Sequence, residues 1–242
     1  MTFAIRELDR TRDRRAVEAI DTSFETTTVF DVVTTPRSVS LVERPLDQPL
    51  IKRYSIGEVF AEWARWDTGW VAEDDGVRGF ATVEYEAWHA RLVLWFLYIS
   101  PAWRRRGVGR ALLERVEAHG RALGANHVWL ETSNVNVPGV AAYERLGYTL
   151  CGADRLFYGP YMPGETAIYL AKSLCAADQG AQLAARSDMT EPKPPQTPHP
   201  TPHKPEVDDD NPVRKELAKG DVRPDGPGDD SAPVVPERTS NG

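Results

Sequence analysis

The hexapeptide RRRGVG, residues 104–109, sets three guanidinium groups directly ahead of two glycines spaced by one residue. Arginine side chains and unpaired backbone N–H groups both bind phosphoryl oxygens, so this stretch is the first candidate for chemistry. On the hexapeptide alone three readings are open: a local phosphate cradle, a basic patch for nucleic acid, and a solvated arginine-rich loop. Neither nucleotide signature, GxGxxG or GxxxxGK[ST], is present to choose among them.

The flanking elements narrow the choice. RLVLWFLYIS (91–100) is a continuous apolar run of the kind that forms a strand buried on both faces, and it leads straight into Pro101. After the hexapeptide, RALLERVEAHGRALG lines up Leu112, Leu113, Val116 and Leu123 on one side of a helix, with Gly124 as its C-cap. The unit is therefore strand, glycine-rich loop, helix. Backbone N–H groups of Arg105, Arg106, Gly107, Val108, Gly109 and Arg110 lie where a helix start leaves donors without intrahelical partners, a site suited to a pyrophosphate. Gly107 and Gly109 would allow close backbone approach, and Arg104, Arg105 and Arg106 would add charge-assisted contacts.

Elsewhere the periodicity changes repeatedly. FAIREL reads as a first strand, and Val17, Ile20 and Phe24 in DRRAVEAIDTSF are spaced along one face of a helix. TTTVFDVVTT and SVSLVERPL, with Pro36 between them, read as a hairpin or two short strands. EVFAEWARW reads as a short helix with Phe60, Trp63 and Trp66 on one face. Two strands joined at Asp74-Asp75-Gly76 follow, and HVWLETS is a further strand.

Composition sets the boundaries. Lys and Arg number 29 against 36 Asp and Glu, which argues against a broad electrostatic footprint for nucleic acid. Residues 175–242 contain no Phe, Trp or Tyr and hold 12 of the 19 prolines, so they are expected to form a disordered tail behind one domain at 1–174. Cys151 and Cys175 are too few for a disulfide framework, and no apolar run approaches the roughly 18 residues of a membrane span. MTFAIRELDR lacks the apolar segment of a secretory signal. A soluble cytoplasmic protein that binds neither nucleic acid nor membrane is expected. Asp208-Asp209-Asp210 and the pair His199 and His203 do not make a ligand set, so no metal is expected.

YISPAWRRRGVGRALL resembles the acetyl-CoA signature of the GNAT superfamily of N-acetyltransferases, an [RQ]xxGx[GA] loop that opens a helix, with Arg104, Gly107 and Gly109 matching. NVPGVAAYERLGY (136–148) is similar to the superfamily's second signature, N-x-x-A-x-x-x-Y-x-x-x-G-[FY]. Asn136, Tyr143, Gly147 and Tyr148 match it, and Gly139 stands where alanine is usual. IDTSFETTTVFDV, GFATVEYEAWHARL, WLETSNVNVPGVAAYERLGYTLCGAD and GETAIYL extend the resemblance to the streptothricin acetyltransferases. The resemblance implies a mixed α/β fold: a central, mostly antiparallel sheet with one splayed parallel pair, flanked by helices. It implies acetyl-CoA as co-substrate and a cationic small-molecule amine as acceptor, an amine of the β-lysine moiety of streptothricin.

Acetyl transfer to an amine needs a proton acceptor, stabilisation of a developing oxyanion and a proton for the leaving thiolate. By resemblance the Ile99 N–H holds the thioester carbonyl, Tyr143 donates to the thiolate, and Asn136 belongs to the co-substrate site. Streptothricin acetyltransferases carry carboxylates in the strand before the loop, in a pattern like IEDIEV, where this chain has LWFLYI. Glu131, twelve residues before Tyr143 as in the similar protein N-terminal acetyltransferases, is then the candidate base. A structural role for Glu131 stays open beside it, as do Glu84, Glu86, His89 or a water chain as acceptor. Trp63, Trp66, Trp70 and Trp95 are expected to pack in the core or at its rim, with a wall of the acceptor pocket as the alternative for one of them. Asp21, Glu25, Asp31 and Asp154 are candidate contacts for a polycation. A peptide amine or a polyamine as acceptor, and a non-catalytic acyl-CoA-binding module, are the alternatives. Whether a second copy of the chain is a partner is not readable.

Overall fold

The structure, a computed structural model, describes residues 2–175. The elements run β1 (Ala4–Glu7), α1 (Arg14–Glu18), β2 (Phe24–Thr35), β3 (Ser38–Lys52), β4 (Thr68–Glu73), β5 (Val77–Glu86), β6 (Arg91–Ile99), α2 (Val108–Leu123), β7 (His127–Ser133), α3 (Val137–Arg145), β8 (Thr149–Asp154) and β9 (Ala167–Ser173). Seven strands form one sheet in the order β1-β4-β5-β6-β7-β9-β8, while β2 and β3 pair separately as a long hairpin. Every pairing in the large sheet is antiparallel except β6 with β7. The tail expected at 175–242 lies, apart from Cys175, outside the described residues.

Two details of β6 shape the site. Its parallel pairing with β7 runs from Arg91 opposite His127 to Leu94 opposite Leu130 and goes no further. At the same point the ladder with β5 shifts: Leu94 sits opposite Val83 and Phe96 opposite Thr82, leaving Trp95 as an extra, bulged residue. A bulge bends its strand, and here the bend coincides with the parting of β6 from β7. Trp95 Nε1 donates to Glu84 Oε2 on the neighbouring β5 at 2.9 Å, which holds the bulge in place.

The extra residue also explains the burial pattern. Leu92 and Leu94 lie in the core beneath α2, with Trp70, Val83, Leu112, Leu113, Val116, Val128 and Leu130; beyond the bulge, Leu97 and Ile99 pack against this cluster. Phe96 and Tyr98 instead join the opposite face, where Val17, Ile20, Trp66, Val71 and Phe80 are buried. Each fully buried large side chain contributes about 1.5–3 kcal/mol, so both faces are fixed by substantial burial. A third cluster ties the hairpin to the rest through Phe30 and Val32 against Val140 of α3 and Ile168 of β9.

Three sequence expectations require correction. The helix expected to reach Phe24 ends at Glu18, and Phe24 opens β2, because the β-branched run that follows is paired along β3. EVFAEWARW forms only a single 3-10 turn at Gly57–Phe60. Trp66 turns inward there, its Nε1 donating to the Val59 carbonyl, while Trp63 is about half exposed. Leu123 lies at the solvent-facing end of α2, not on its buried stripe. The strands joined at Asp74-Asp75-Gly76 are as expected, with positive φ at Asp75 and Gly76.

Candidate active site

The loop after β6 places its donors by backbone conformation. Arg105 (φ 60°) and Gly107 (φ 87°) are both left-handed, which turns the chain sharply into α2. Gly107 is the N-cap and offers no side-chain oxygen, and the first helical bond runs from Ala111 N–H to the Gly107 carbonyl. The N–H groups of Val108, Gly109 and Arg110 are therefore without intrahelical partners at the positive end of a 16-residue helix. Arg105 and Arg110 are exposed at its rim, and Arg106 lies over the Trp103 ring at 5.7 Å. Arg104 differs from the others: it is half-buried and donates from Nε to the Ile99 carbonyl at 2.9 Å, so it ties the loop to the end of β6. Gly109 faces the strand, where an added Cβ would meet Ile99 Cδ1 at 3.2 Å. Its lack of a side chain lets α2 sit close on β6.

Strand alternation decides which backbone groups face the gap. Ser100 N–H donates to the Arg78 carbonyl on β5 at 2.9 Å. In an antiparallel ladder the neighbouring residue points its N–H and C=O the other way, so those of Ile99 face the edge that β7 has left. The Ile99 carbonyl is taken by Arg104, and the Ile99 N–H is directed into the opening.

Across the gap, Val128 and Leu130 of β7 face α2, so Trp129 and Glu131 face the other side, the side of Tyr98. Glu131 is half-buried and accepts a hydrogen bond from the Tyr158 hydroxyl. Burial pushes its pKa up to about 7, the Tyr158 hydrogen bond opposes that rise, and the neighbouring Glu165 adds to it. Tyr143 packs edge-on against Tyr148 at 5.6 Å, and burial first, then Tyr98 and Glu131, raise its pKa well above the usual value. Glu131, Tyr98 and Tyr143 thus converge electrostatically on the opening. Asn136 caps α3: its Oδ1 accepts from Gly139 N–H at 3.1 Å and its Nδ2 donates to Thr132 Oγ1 at 2.9 Å. A Cβ on residue 139 would lie 2.4 Å from Asn136 Nδ2, which accounts for glycine there instead of alanine.

The alternative bases are otherwise engaged. Glu84 holds Trp95, and Glu86 accepts from Arg91 and His89 in a cluster at the β5–β6 turn. Of the acidic candidates for a polycation, Asp31 is half-exposed and bound by Arg44 at 2.9 Å, Asp21 pairs with Arg53 at 3.2 Å, and Asp154 accepts from Leu156 N–H at 2.7 Å.

Sequence reasoning passed over a second carboxylate and its surroundings. Glu165 is bound by Lys52 and by Ser133 Oγ, the latter at 2.6 Å. Lys52 Nζ lies 5.6 Å from the Tyr54 ring, and Tyr54 stacks at a tilt against Phe24 and Tyr98. The Tyr54 hydroxyl is buried with no hydrogen-bond partner among the described residues. Tyr158 and Glu165 belong to the irregular stretch between β8 and β9, where no periodicity marks them. Among the described residues no His, Cys, Asp and Glu cluster could hold a metal ion, and no helix is long and apolar enough to cross a membrane.

A sheet whose one parallel pair parts beside a glycine-bearing loop that opens a helix is the architecture of an acyl-CoA N-acyltransferase, and this chain belongs to the acetyltransferase (GNAT) family, which matches residues 40–148. It is an acetyl-CoA-dependent N-acetyltransferase. Over 170 residues it is 39% identical to a streptothricin acetyltransferase of Streptomyces lavendulae, spanning 66% of this chain and 90% of that protein. A crystal structure of nourseothricin acetyltransferase, 36% identical, superposes with a TM-score of 0.65 over 72% of this chain and all of that one. A Bacillus anthracis structure assigned as a streptothricin acetyltransferase, in complex with acetyl coenzyme A, shares the fold at TM-score 0.61 and 23% identity, covering 72% of this chain and 99% of that one.

Proposed function

We propose that this enzyme acetylates an amine of streptothricin-type antibiotics, in the β-lysine moiety, and so confers resistance. The observation that carries the reading is the pair of carboxylates, Glu131 and Glu165, set among Tyr54, Tyr98 and Tyr158 beside the gap. Carboxylates and aromatic rings together attract ammonium groups, and the desolvated setting strengthens that attraction.

Acetyl-CoA supplies the thioester, with its pyrophosphate at Arg105–Arg110 and its carbonyl oxygen on the Ile99 N–H. Glu131 takes the proton from the amine nitrogen as the new N–C bond forms and the C–S bond breaks. Tyr143 returns a proton to the departing sulfur. A base with a pKa of about 7 suits this work near neutral pH, where about half of it is ionised and it is still a useful proton acceptor.

Thiol release measured with acetyl-CoA and, in parallel, streptothricin, a peptide with a free N-terminus and spermidine tests the acceptor. Streptothricin is expected to turn over fastest. Rapid acetylation of the peptide or of spermidine with none of streptothricin would overturn the acceptor, and acetyl-CoA binding without turnover of any amine would make the chain an acyl-CoA-binding module.

A further inference from the structure

Glu131 presents two oxygens at the gap, and they are not equivalent. Oε1 accepts from the Tyr158 hydroxyl, and Oε2 has no hydrogen-bond partner among the described residues. We propose that Tyr158 positions Glu131 for catalysis, occupying Oε1 so that Oε2 is the oxygen that takes the amine proton. This rests on the reading of Glu131 as the base.

The connection between β8 and β9 is built to deliver that hydroxyl. Asp154 Oδ1 accepts from Leu156 N–H at 2.7 Å, turning the chain at the end of β8. Arg155 Nη2 donates to the Val32 carbonyl at 2.7 Å and moors the same turn to the hairpin. Phe157 then packs edge-on against both Tyr158 at 5.3 Å and Tyr169 at 6.2 Å. Leu156 and Tyr161, on either side, are largely exposed, while Tyr158 between them is half-buried and reaches in to Glu131. A carboxylate rotates about its terminal bond over a broad range. One fixed acceptor bond at Oε1 removes that freedom and leaves a single orientation for Oε2.

The hydrogen bond also favours the ionised carboxylate, so it holds the acidity of Glu131 within reach of neutral pH against the effect of burial. The groups facing Glu131 are Tyr98 on β6, Tyr143 on α3, Tyr54 after β3, Tyr169 on β9, and Glu165, which Lys52 and Ser133 hold. Burial raises the pKa of each of these tyrosines, as it does for Tyr158, so they stay neutral between pH 5 and 9. Loss of the Tyr158 hydroxyl must then appear as a later ionisation of Glu131.

The test uses the full chain, acetyl-CoA and streptothricin. In Tyr158→Phe the acid limb of the kcat/KM profile is expected to move up by about half a pH unit or more, with kcat down roughly tenfold and KM for acetyl-CoA within about twofold of wild type. Replacing Tyr158 by 3-fluorotyrosine, a stronger donor of the same shape, should move the limb down, and it serves equally if the phenylalanine variant does not fold. The carboxyl carbon of Glu131, identified in NMR spectra by its loss in Glu131→Gln, should titrate in the same directions without any acceptor present. An acid limb and a carboxyl titration that stay in place in the two variants, while Glu131→Gln is inactive, would overturn the role of Tyr158 alone. Full activity of Glu131→Gln would overturn both that role and the reading of Glu131 as the base.

Discussion

Glu131 is a carboxylate placed where its charge is costly. Its folded pKa of about 7 exceeds the reference value of 4.5, so the fold prefers the neutral acid. Stability from this group is complete below pH 4.5 and is lost as the pH rises through 7. Glu131→Gln keeps the shape and an acceptor for Tyr158 while removing the charge. It should lower kcat by about 10²-fold or more, leave acetyl-CoA affinity nearly intact, and raise the melting temperature relative to wild type at pH 9 but not at pH 4. Parallel thermal melts and initial rates across that range check both halves. A glutamate kept for structure alone would show the opposite pairing, an active but less stable variant. In the wild type, kcat/KM should fall as the pH drops below about 7.

At the scale of elements, the cradle proposed at the start of α2 rests on backbone N–H groups more than on side-chain charge. Gly109 lies against Ile99, so Gly109→Val pushes the start of α2 away from β6 as well as narrowing the cradle. Acetyl-CoA should bind at least tenfold more weakly to a variant that still melts cooperatively, and isothermal titration calorimetry measures it. Unchanged affinity would remove the cradle from this position. The strand–loop–helix unit was legible in the sequence because its signals are local: a continuous apolar run, two glycines and a helical stripe. The triplet of arginines was less legible, since Arg104 resembles Arg105 on paper and is distinguished only by the Ile99 carbonyl within its reach. The helix expected through Phe24 failed because spacing continued where partners did not: the hairpin had already claimed that residue. Glu131 was singled out by resemblance, through its distance from Tyr143. Tyr158 and Glu165 were not, because they reach it through a non-repetitive stretch that only tertiary contacts order.

For the molecule as a whole, the three core clusters of the described residues draw on positions 3 to 174. A chain ending at Cys175 should keep the full-length melting temperature and kcat/KM within about twofold, as expected for loss of a segment without aromatic residues and crowded with proline. Losing the cooperative melt would give the C-terminal residues a structural part. Added salt should raise KM for streptothricin, because charge attraction at a partly exposed cleft is screened over about 8 Å at physiological ionic strength. Asp31→Asn should not reproduce that rise, as Asp31 is not among the charges that act on Glu131. Glu165→Gln should, because Glu165 does act on it even while Lys52 holds it. Equal responses of the two variants would show that general surface charge, not the gap, attracts the acceptor.

The opening itself comes down to a difference in length. Between the points where Leu94 faces Val83 and Phe96 faces Thr82, β6 spends one residue more than β5. Leu94, Phe96, Leu97 and Tyr98 would alternate correctly between the two faces if Trp95 were simply removed. No substitution achieves this, since the surplus is a step of chain and not a side chain. In a protein one residue shorter at this point the β5–β6 ladder would run without its shift, and the bend that coincides with the parting of β6 from β7 would lose its cause.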